Sequence, residues 1–136
     1  MLPTDLNYLA ILVAAIASMV IGAVWYSQSV FGKVWMKLTG KSMKDMKKED
    51  ATKGYIVAFA ASLVTAYVLA VMIKIFYSAT LVGGAKVGIL AWAGFVATTL
   101  AVEYVFEDRP QKLLLVNSGH ILATMIVMGA IIAAWP

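Results

Sequence analysis

The sequence lacks cysteine altogether and has one histidine, His120, among its 136 residues. Without cysteine there are no disulfides, no iron–sulfur clusters and no thiolate chemistry. A single histidine argues against a multi-histidine metal or haem site within one chain, although an oligomer could bring copies of His120 together. We therefore predict no cofactor and no metal.

Charge is also scarce. Charged residues make up 13% of the chain and hydrophobic residues 62%, and the mean hydropathy is +0.88. A soluble domain of this length would need more polar side chains to cover its surface, so the composition indicates a lipid bilayer as the surrounding partner. The length indicates a single membrane domain over residues 1–136.

The net charge of +4 would suit a nucleic-acid partner if the basic residues lined one face. They are concentrated instead in one loop between apolar segments, which is the arrangement of a membrane protein. We therefore predict no nucleic-acid partner.

Proline is rare and peripheral. The three prolines, Pro3, Pro110 and Pro136, lie at or beyond the ends of the apolar segments, where a missing N–H costs nothing. No apolar segment is interrupted by proline, which argues against the broken helices that form substrate sites in many larger transporters.

Four apolar segments are each longer than the ~20 residues that a helix needs to cross the hydrocarbon core. Their apolar residues are continuous rather than alternating, which favours helices over lipid-facing strands. The sequence therefore predicts an all-α fold, a polytopic bundle of four transmembrane helices. No Lys or Arg precedes the first segment, so we interpret it as a retained span and not a signal peptide. The predicted spans are residues 6–26, 54–77, 81–106 and 111–135, with a basic loop over 27–53.

Basic residues lie predominantly on one side of the predicted bundle. Nine of the eleven belong to the first loop and the third connection, which leaves Lys74 and Lys86 for the opposite side. Because cytoplasmic loops are rich in Lys and Arg, we predict a multi-pass protein of the cell membrane with both termini outside and the first and third loops in the cytoplasm. The nine residues are Lys33, Lys37, Lys41, Lys44, Lys47, Lys48, Lys53, Arg109 and Lys112.

The first loop carries the pattern of a short interfacial helix. Aromatic and aliphatic residues recur at helical spacing between Phe31 and Leu38, and lysines occupy another face. Such a helix would lie in the headgroup layer with its lysines near anionic lipid. Ser42, three residues before Asp45, predicts the start of a second short turn. A solvated connector is the alternative interpretation. The candidate headgroup residues are Trp35, Lys37, Lys41, Lys44, Lys47 and Lys48.

Small residues recur every four positions in the first two spans. Because lipid tails are as apolar as leucine, membrane helices associate by close packing, which such rows of small residues permit. The rows predict that the first two spans pack as an antiparallel hairpin; contact with another subunit is the alternative. The candidate packing residues are Ala10, Ala14, Ser18 and Gly22 in the first span and Ala58, Ser62, Ala66 and Ala70 in the second.

Polar residues inside the last two spans form a candidate site. A charged group inside a bilayer costs about 3 kcal/mol, so the position of Glu103 requires a reason. Asn117, His120 and Thr124 fall on one stripe of the fourth span. A tight turn between the spans would bring Glu103 level with Asn117. The functional interpretation is a polar seam for protons, a cation or a polar solute. The structural alternatives are a hydrogen-bonded pair that fixes the hairpin, or a Glu103 that reaches the interface or pairs with Arg109.

No residues point to catalysis. No serine lies in a nucleophile-elbow context, and no second carboxylate is placed to work with Glu103. Ser118 lies two positions from His120, an offset that points two side chains apart on a helix. We therefore predict that the protein is not an enzyme.

Two segments resemble a known family. WYSQSVFGKVWM, Trp25 to Met36, resembles the Trp-Tyr-Ser, Phe-Gly and Trp signature of a prokaryotic membrane family that is catalogued as domain of unknown function 1761. FEDRPQKLLLVNSGHILATMIVMGAIIAAW, Phe106 to Trp135, is similar to the final hairpin of that family. The signature often has proline where this chain has Gln28, and tyrosine is common at the position of His120. The resemblance implies a four-span membrane protein and supplies no established activity.

Packing surfaces without a matching set of reactive groups favour a non-catalytic oligomeric or accessory subunit of a membrane assembly, either a homo-oligomer or part of a larger complex. The alternative is a small oligomeric transporter or channel for ions, protons or polar solutes. A third hypothesis is a lipid-surface sensor built on the first loop. The pathway of the transporter would be lined by Ser18, Ser62, Glu103, Asn117 and His120.

Overall fold

The computed structural model describes residues 1–136, apart from the side chain of Met43. Four helical segments are long and apolar enough to cross a membrane. They confirm the predicted all-α class and indicate a multi-pass membrane protein. The helices are α1 (Tyr8–Trp25), the short α2 (Gly32–Thr39), α3 (Lys48–Ile75), α4 (Leu81–Ala91), α5 (Thr98–Phe106) and α6 (Gln111–Ala134). A π-helical segment, Trp92–Ala97, joins α4 to α5, and the three together form the third span, Leu81–Phe106.

The two ends of the bundle differ in charge. We call one the basic end, because nine of the eleven Lys and Arg residues lie in or beside its two connections, α1 to α3 and α5 to α6. We call the other the terminal end, because residues 1 and 136 lie there. At the terminal end, Asn7 and Thr80 cap α1 and α4 by accepting hydrogen bonds from the N–H groups of Ala10 (3.1 Å) and Gly83 (2.9 Å). These bonds satisfy N–H groups that have no partner within the helix.

The most extensive contact in the bundle joins α4 to α6. A Cβ added to Gly84 would collide with the carbonyl oxygen of Gly129, and one added to Gly129 would collide with that of Gly84. A Cβ on Gly88 would collide with the carbonyl oxygen of Met125. The two backbones therefore touch directly, which is the close approach that small residues permit between membrane helices.

α1 packs on α3 through the small-residue rows, but only over part of the length of α3. The hydroxyls of Ser18 and Ser62 lie 2.6 Å apart and hydrogen-bond across the two helices. Towards the basic end, the next row member, Ala58, is exposed, and Gly22 faces His120 of α6. The buried members of the rows are Ala10, Ala14, Ser18, Ala66 and Ala70.

The half of α3 nearest the basic end, residues 48–61, separates from the bundle. Tyr55, Ile56 and Val57 are 59%, 64% and 60% exposed. Every residue from 52 to 58 is exposed, and seven consecutive residues at about 100° each cover nearly two full turns of the helix. No side of the helix is therefore turned to the bundle here, whereas Leu69 in the other half is buried.

The π-helical segment changes which residues of the third span face α6. A π turn holds an extra residue and rotates everything after it relative to a continuous α-helix. With about 3.6 residues per turn, a helix that presents Gly88 to α6 would also present residues 95 and 102. Phe95 and Val102 are instead 72% and 57% exposed, while Tyr104 is 3% exposed. The π turn therefore directs Tyr104 to α6.

The short helix predicted in the first loop is α2. It ends at Gly40, whose φ of 71° lies in the left-handed region that glycine adopts without strain. The predicted second turn is a single 3₁₀ turn over Met43–Asp45, and the Ser42 hydroxyl accepts a hydrogen bond from the N–H of Lys44 (3.3 Å).

Candidate functional site

A hydrogen-bonded chain joins three helices near the basic end. The Tyr26 hydroxyl donates to Asn117 Oδ1 (2.7 Å), and Asn117 Nδ2 donates to the Tyr104 hydroxyl (2.8 Å). Tyr26 follows α1, Tyr104 belongs to α5 and Asn117 to α6. An unpaired polar side chain is costly away from water, so these groups satisfy one another and tie the three helices together. We call these residues the Tyr–Asn–Tyr cluster.

The Tyr26 phenol, one residue beyond the end of α1, is a persistent donor. Burial and, to a smaller extent, the neighbouring Tyr104 raise the pKa of Tyr26 to about 12. Burial acts in this direction because it disfavours the charged phenolate. The hydroxyl therefore keeps its proton, and its bond to Asn117, across the physiological pH range.

Two tryptophans hold the backbone of α6 beside Asn117. The indole N–H of Trp25 donates to the carbonyl oxygen of Val116, and that of Trp92 donates to the carbonyl oxygen of Ser118, both at 2.9 Å. Each indole thereby satisfies its one polar atom. Because the two carbonyls flank Asn117 in sequence, the bonds fix the stretch of backbone that carries its amide.

His120 lies one turn from Asn117 on α6 and packs against the end of α1. The centre of its ring is 5.1 Å from that of Tyr26 and 6.2 Å from that of Trp25. A Cβ on Gly22 would lie 3.3 Å from His120 Nε2, so the glycine makes room for the imidazole. Among the described residues, Nε2 is the one buried side-chain polar atom without a hydrogen-bond partner.

The turn after α1 explains why the residues of the quoted signature occur together. The Phe31 ring packs on Trp25 with ring centres 4.8 Å apart, and Trp35 meets the ring of Tyr26 edge-on at 6.3 Å. Gly32 lies so close to the preceding backbone that a Cβ would collide with the carbonyl oxygen of Tyr26. The glycine thus allows the chain to fold back and place two further aromatic rings on the residues that contact α6.

The structure brings together part of the predicted polar seam. Asn117 and His120 both face the end of α1. Thr124 donates its hydroxyl to the carbonyl oxygen of His120 within α6 (2.8 Å), so it contributes no group to the cluster. Glu103 is exposed on α5, and Tyr104 is the residue of α5 that reaches Asn117.

Arg109, weighed above as a partner for Glu103, lies in the turn before α6 and pairs with Glu107 (3.9 Å). Its guanidinium carbon lies 4.1 Å from the centre of the Tyr104 ring, a cation–π contact. Arg109 therefore covers the outer side of the Tyr–Asn–Tyr cluster.

The predicted headgroup residues fall into two groups. Trp35 is half-buried because its ring packs against Tyr26. The lysines are exposed at the basic end, where their charges are available to solvent or lipid: Lys37, Lys41, Lys44, Lys47 and Lys48.

Four members of this site were not predicted from the sequence, namely Trp25, Tyr26, Trp92 and Tyr104. One signal was available for them. Each has an aromatic body with one polar atom that requires a partner when buried, and Asn117 is the one side-chain amide of the last two spans besides Gln111, which lies at the very start of the fourth.

The chemistry that the site offers is hydrogen bonding between uncharged groups, with one imidazole beside them. Among the described residues, no group of three or more His, Asp or Glu side chains is placed to hold a metal ion. What the geometry provides is a fixed junction between the ends of α1, α5 and α6.

The sequence profile of one family, described as "Protein of unknown function (DUF1761)", matches residues 9–133. The matched range contains the Tyr–Asn–Tyr cluster, both tryptophans and Gly32. No curated protein and no solved structure gives a significant match. The profile covers nearly the whole chain, which confirms the resemblance noted in the two quoted segments. The chain belongs to the DUF1761 family.

Proposed function

We propose that this DUF1761 protein is a non-catalytic subunit of a membrane assembly, oligomeric or accessory, in the prokaryotic cell membrane. The observation that carries the proposal is the exposed half of α3, where every residue from 52 to 58, including Tyr55, Ile56 and Val57, is exposed, so that no side of the helix is turned to the bundle. A helix that packs along one half and separates along the other offers a surface that a second protein can complete.

The Tyr–Asn–Tyr cluster supports a structural role. Asn117 uses its carbonyl and its amide on two tyrosines, and both indoles are bonded to carbonyls of α6. These bonds hold α1, α5 and α6 together at the basic end and leave α3 outside. Three helices held rigidly together, with one half of α3 separate from them, suit a protein that associates through the exposed half of α3.

Crosslinking in the native membrane tests this proposal. A photoreactive amino acid replaces Val57 on the exposed half of α3 and, as the matched control, Val20, an exposed valine of α1. We expect protein adducts from position 57 and predominantly lipid adducts from position 20. Lipid adducts alone at both positions would overturn the proposal.

We also propose that the basic end faces the cytoplasm, because it carries nine of the eleven Lys and Arg residues. The chain has no cysteine, so Lys44→Cys introduces a unique thiol. A membrane-impermeant maleimide is expected to label it in inside-out vesicles and not in intact cells. Labelling in intact cells would reverse the orientation.

Transport of protons or a polar solute is a second candidate, favoured by the unpaired Nε2 of His120. Polar groups inside a membrane that lack a structural partner are candidates for binding a proton or solute. Proton flux into liposomes is compared for the wild type, His120→Phe and Glu103→Gln. A pH-dependent flux lost in either variant would replace the subunit proposal, and no flux in any of the three would remove transport.

A further inference from the structure

Glu103 places a charge on an otherwise apolar surface of α5. It lies three residues before the last residue of α5, Phe106, and its neighbours Val102 and Val105 are exposed as well. It takes part in neither of the two ion pairs that the described residues form, Lys74 with Asp5 and Arg109 with Glu107. Charged groups at the edge of an apolar span usually face a partner group or water-filled space.

Lys53 occupies the matching position on α3. It is exposed, and it is the last charged residue before an uncharged run that ends at Lys74. From Lys53 to Lys74 the helix rises about 32 Å, close to the ~30 Å thickness of the hydrocarbon core, which puts Lys53 at the boundary on the side of the basic end.

Glu103 lies at the same boundary. The third span, Leu81–Phe106, has 26 residues and is about 39 Å long, so it extends roughly 4–5 Å beyond the hydrocarbon at each end. Three residues back from Phe106 is about 4.5 Å, which places Glu103 level with Lys53. The acid and the base therefore lie at one depth, on two exposed surfaces of one chain.

We infer that the protein at the exposed half of α3 is a second copy of this chain, and that Glu103 of each copy pairs with Lys53 of the other. A two-fold axis along the membrane normal keeps both basic ends on one side and forms the pair twice. The exposed Gly54, Ala58 and Ala61 follow one stripe of α3, where they permit close helix contact. A second copy is favoured over an unrelated protein because this chain supplies both charges of the pair.

Energy transfer between labelled copies in liposomes tests this inference. The full chain carries Gln28→Cys, an exposed site in the connection after α1, with donor or acceptor dye, at decreasing protein-to-lipid ratios. Glu103→Lys alone and Lys53→Glu alone are expected to weaken association by about tenfold or more, because each brings like charges together. The combined variant restores the pair with its signs exchanged and is expected to associate nearly as the wild type does.

Matched controls make the same charge changes outside the proposed contact. Glu107→Lys lies in the turn beyond α5 and Lys47→Glu lies just before α3, and neither is expected to weaken association. The milder Glu103→Gln serves if the reversed charge disturbs insertion, and it is expected to give a smaller loss. A monomeric wild type at every ratio would overturn the inference. Single variants that associate normally, or a combined variant that fails to recover, would overturn the Glu103–Lys53 contact.

The inference of a second copy rests on the proposed function, but different experimental results would refute the two. Crosslinking at Val57 to a different protein, with the wild type monomeric in liposomes, would refute the second copy and leave the subunit proposal standing. Lipid adducts alone at Val57 would refute both.

Discussion

The α4–α6 contact and the free half of α3 are both built from small residues, and the bundle uses them differently. Gly84 and Gly129 bring two backbones into direct contact, so that neither position has room for a Cβ. Gly54 on α3 is followed by Ala58 one turn later, yet a Cβ on Gly54 would meet nothing within 4 Å. A row of small residues therefore permits another helix to pack closely, and other contacts determine whether a helix packs there.

Polar side chains supply those other contacts. Two residues of the third span bond to α6: Trp92, the first residue of the π segment, and Tyr104 of α5, which follows that segment. α3 has one hydrogen bond of this kind to a neighbouring membrane helix, in which Ser18 of α1 donates to Ser62 near the middle of α3. Beyond Ser62 towards the basic end, no polar contact holds α3 against the bundle in the part of the chain that the structure describes, and the helix separates there.

The largest effect is expected from breaking the α4–α6 contact. Gly84→Ala places a methyl group against the carbonyl of Gly129, and because backbone cannot swing aside as a side chain can, we expect a loss of about 3 kcal/mol of unfolding free energy. Unfolding by SDS in mixed micelles, followed by tryptophan fluorescence, measures it. Gly54→Ala is the matched control and is expected to change stability by no more than about 0.5 kcal/mol. Equal losses in the two variants would contradict the difference between the surfaces.

The next effect is expected from a second extra residue in the π segment. Insertion of alanine after Gly94 rotates α5 by about 100° and carries Tyr104 away from Asn117, at a cost of about 2 kcal/mol from the lost bond and packing. Deletion of Gly94 is the control, because it returns the segment to α-helical spacing and keeps Tyr104 in register. We expect the deletion to cost less than about 1 kcal/mol. A deletion as harmful as the insertion would show that the π turn does not set the register.

The π turn also marks where the site ceases to be predictable from the sequence. The four spans follow from continuous apolar runs, and the stripe of Asn117 and His120 follows from helical spacing. The residue of α5 that contacts this stripe does not follow from helical spacing. At 3.6 residues per turn, Tyr104 would lie on the face opposite Gly88 and would point away from α6. No residue pattern predicts a π turn. Glu103, a charge inside an apolar span, was therefore the residue of α5 that the sequence suggested for the site.

The α4–α6 contact was missed for a related reason. Gly84 with Gly88 on α4, and Gly129 with Ala133 on α6, form rows of only two residues, and the importance of each row depends on the row of the other helix. The rows of α1 and α3 were visible because each repeats four times within one helix. Repeats within a helix can be recognised in one sequence, whereas pairing between helices is set by how the bundle assembles.

A smaller effect is expected from the Tyr–Asn–Tyr cluster. Asn117→Leu removes two hydrogen bonds and leaves the hydroxyls of Tyr26 and Tyr104 without the amide, for a loss of about 1–1.5 kcal/mol on the scale of hydrogen bonds between membrane helices. Tyr26→Phe and Tyr104→Phe are each expected to lose about half as much in the same SDS titration. If either phenylalanine variant matched Asn117→Leu, the cluster would depend on one bond and not on both.

The smallest effect compares the two halves of α3 with a single kind of substitution. Val71 is 7% exposed and Val57 is 60% exposed, and each loses the same two methyl groups on replacement by alanine. In a bilayer the removed methyls are lipid-soluble in both states, so the transfer contribution that dominates in water is largely absent and the cavity remains as the main cost. We therefore expect Val71→Ala to lose about 1 kcal/mol and Val57→Ala almost nothing in dilute micelles. If α3 docks on a second copy, Val57→Ala should instead weaken association in liposomes while leaving the unfolding titration of the monomer unchanged. A loss of monomer stability at Val57 would mean that this half of α3 packs within its own bundle after all.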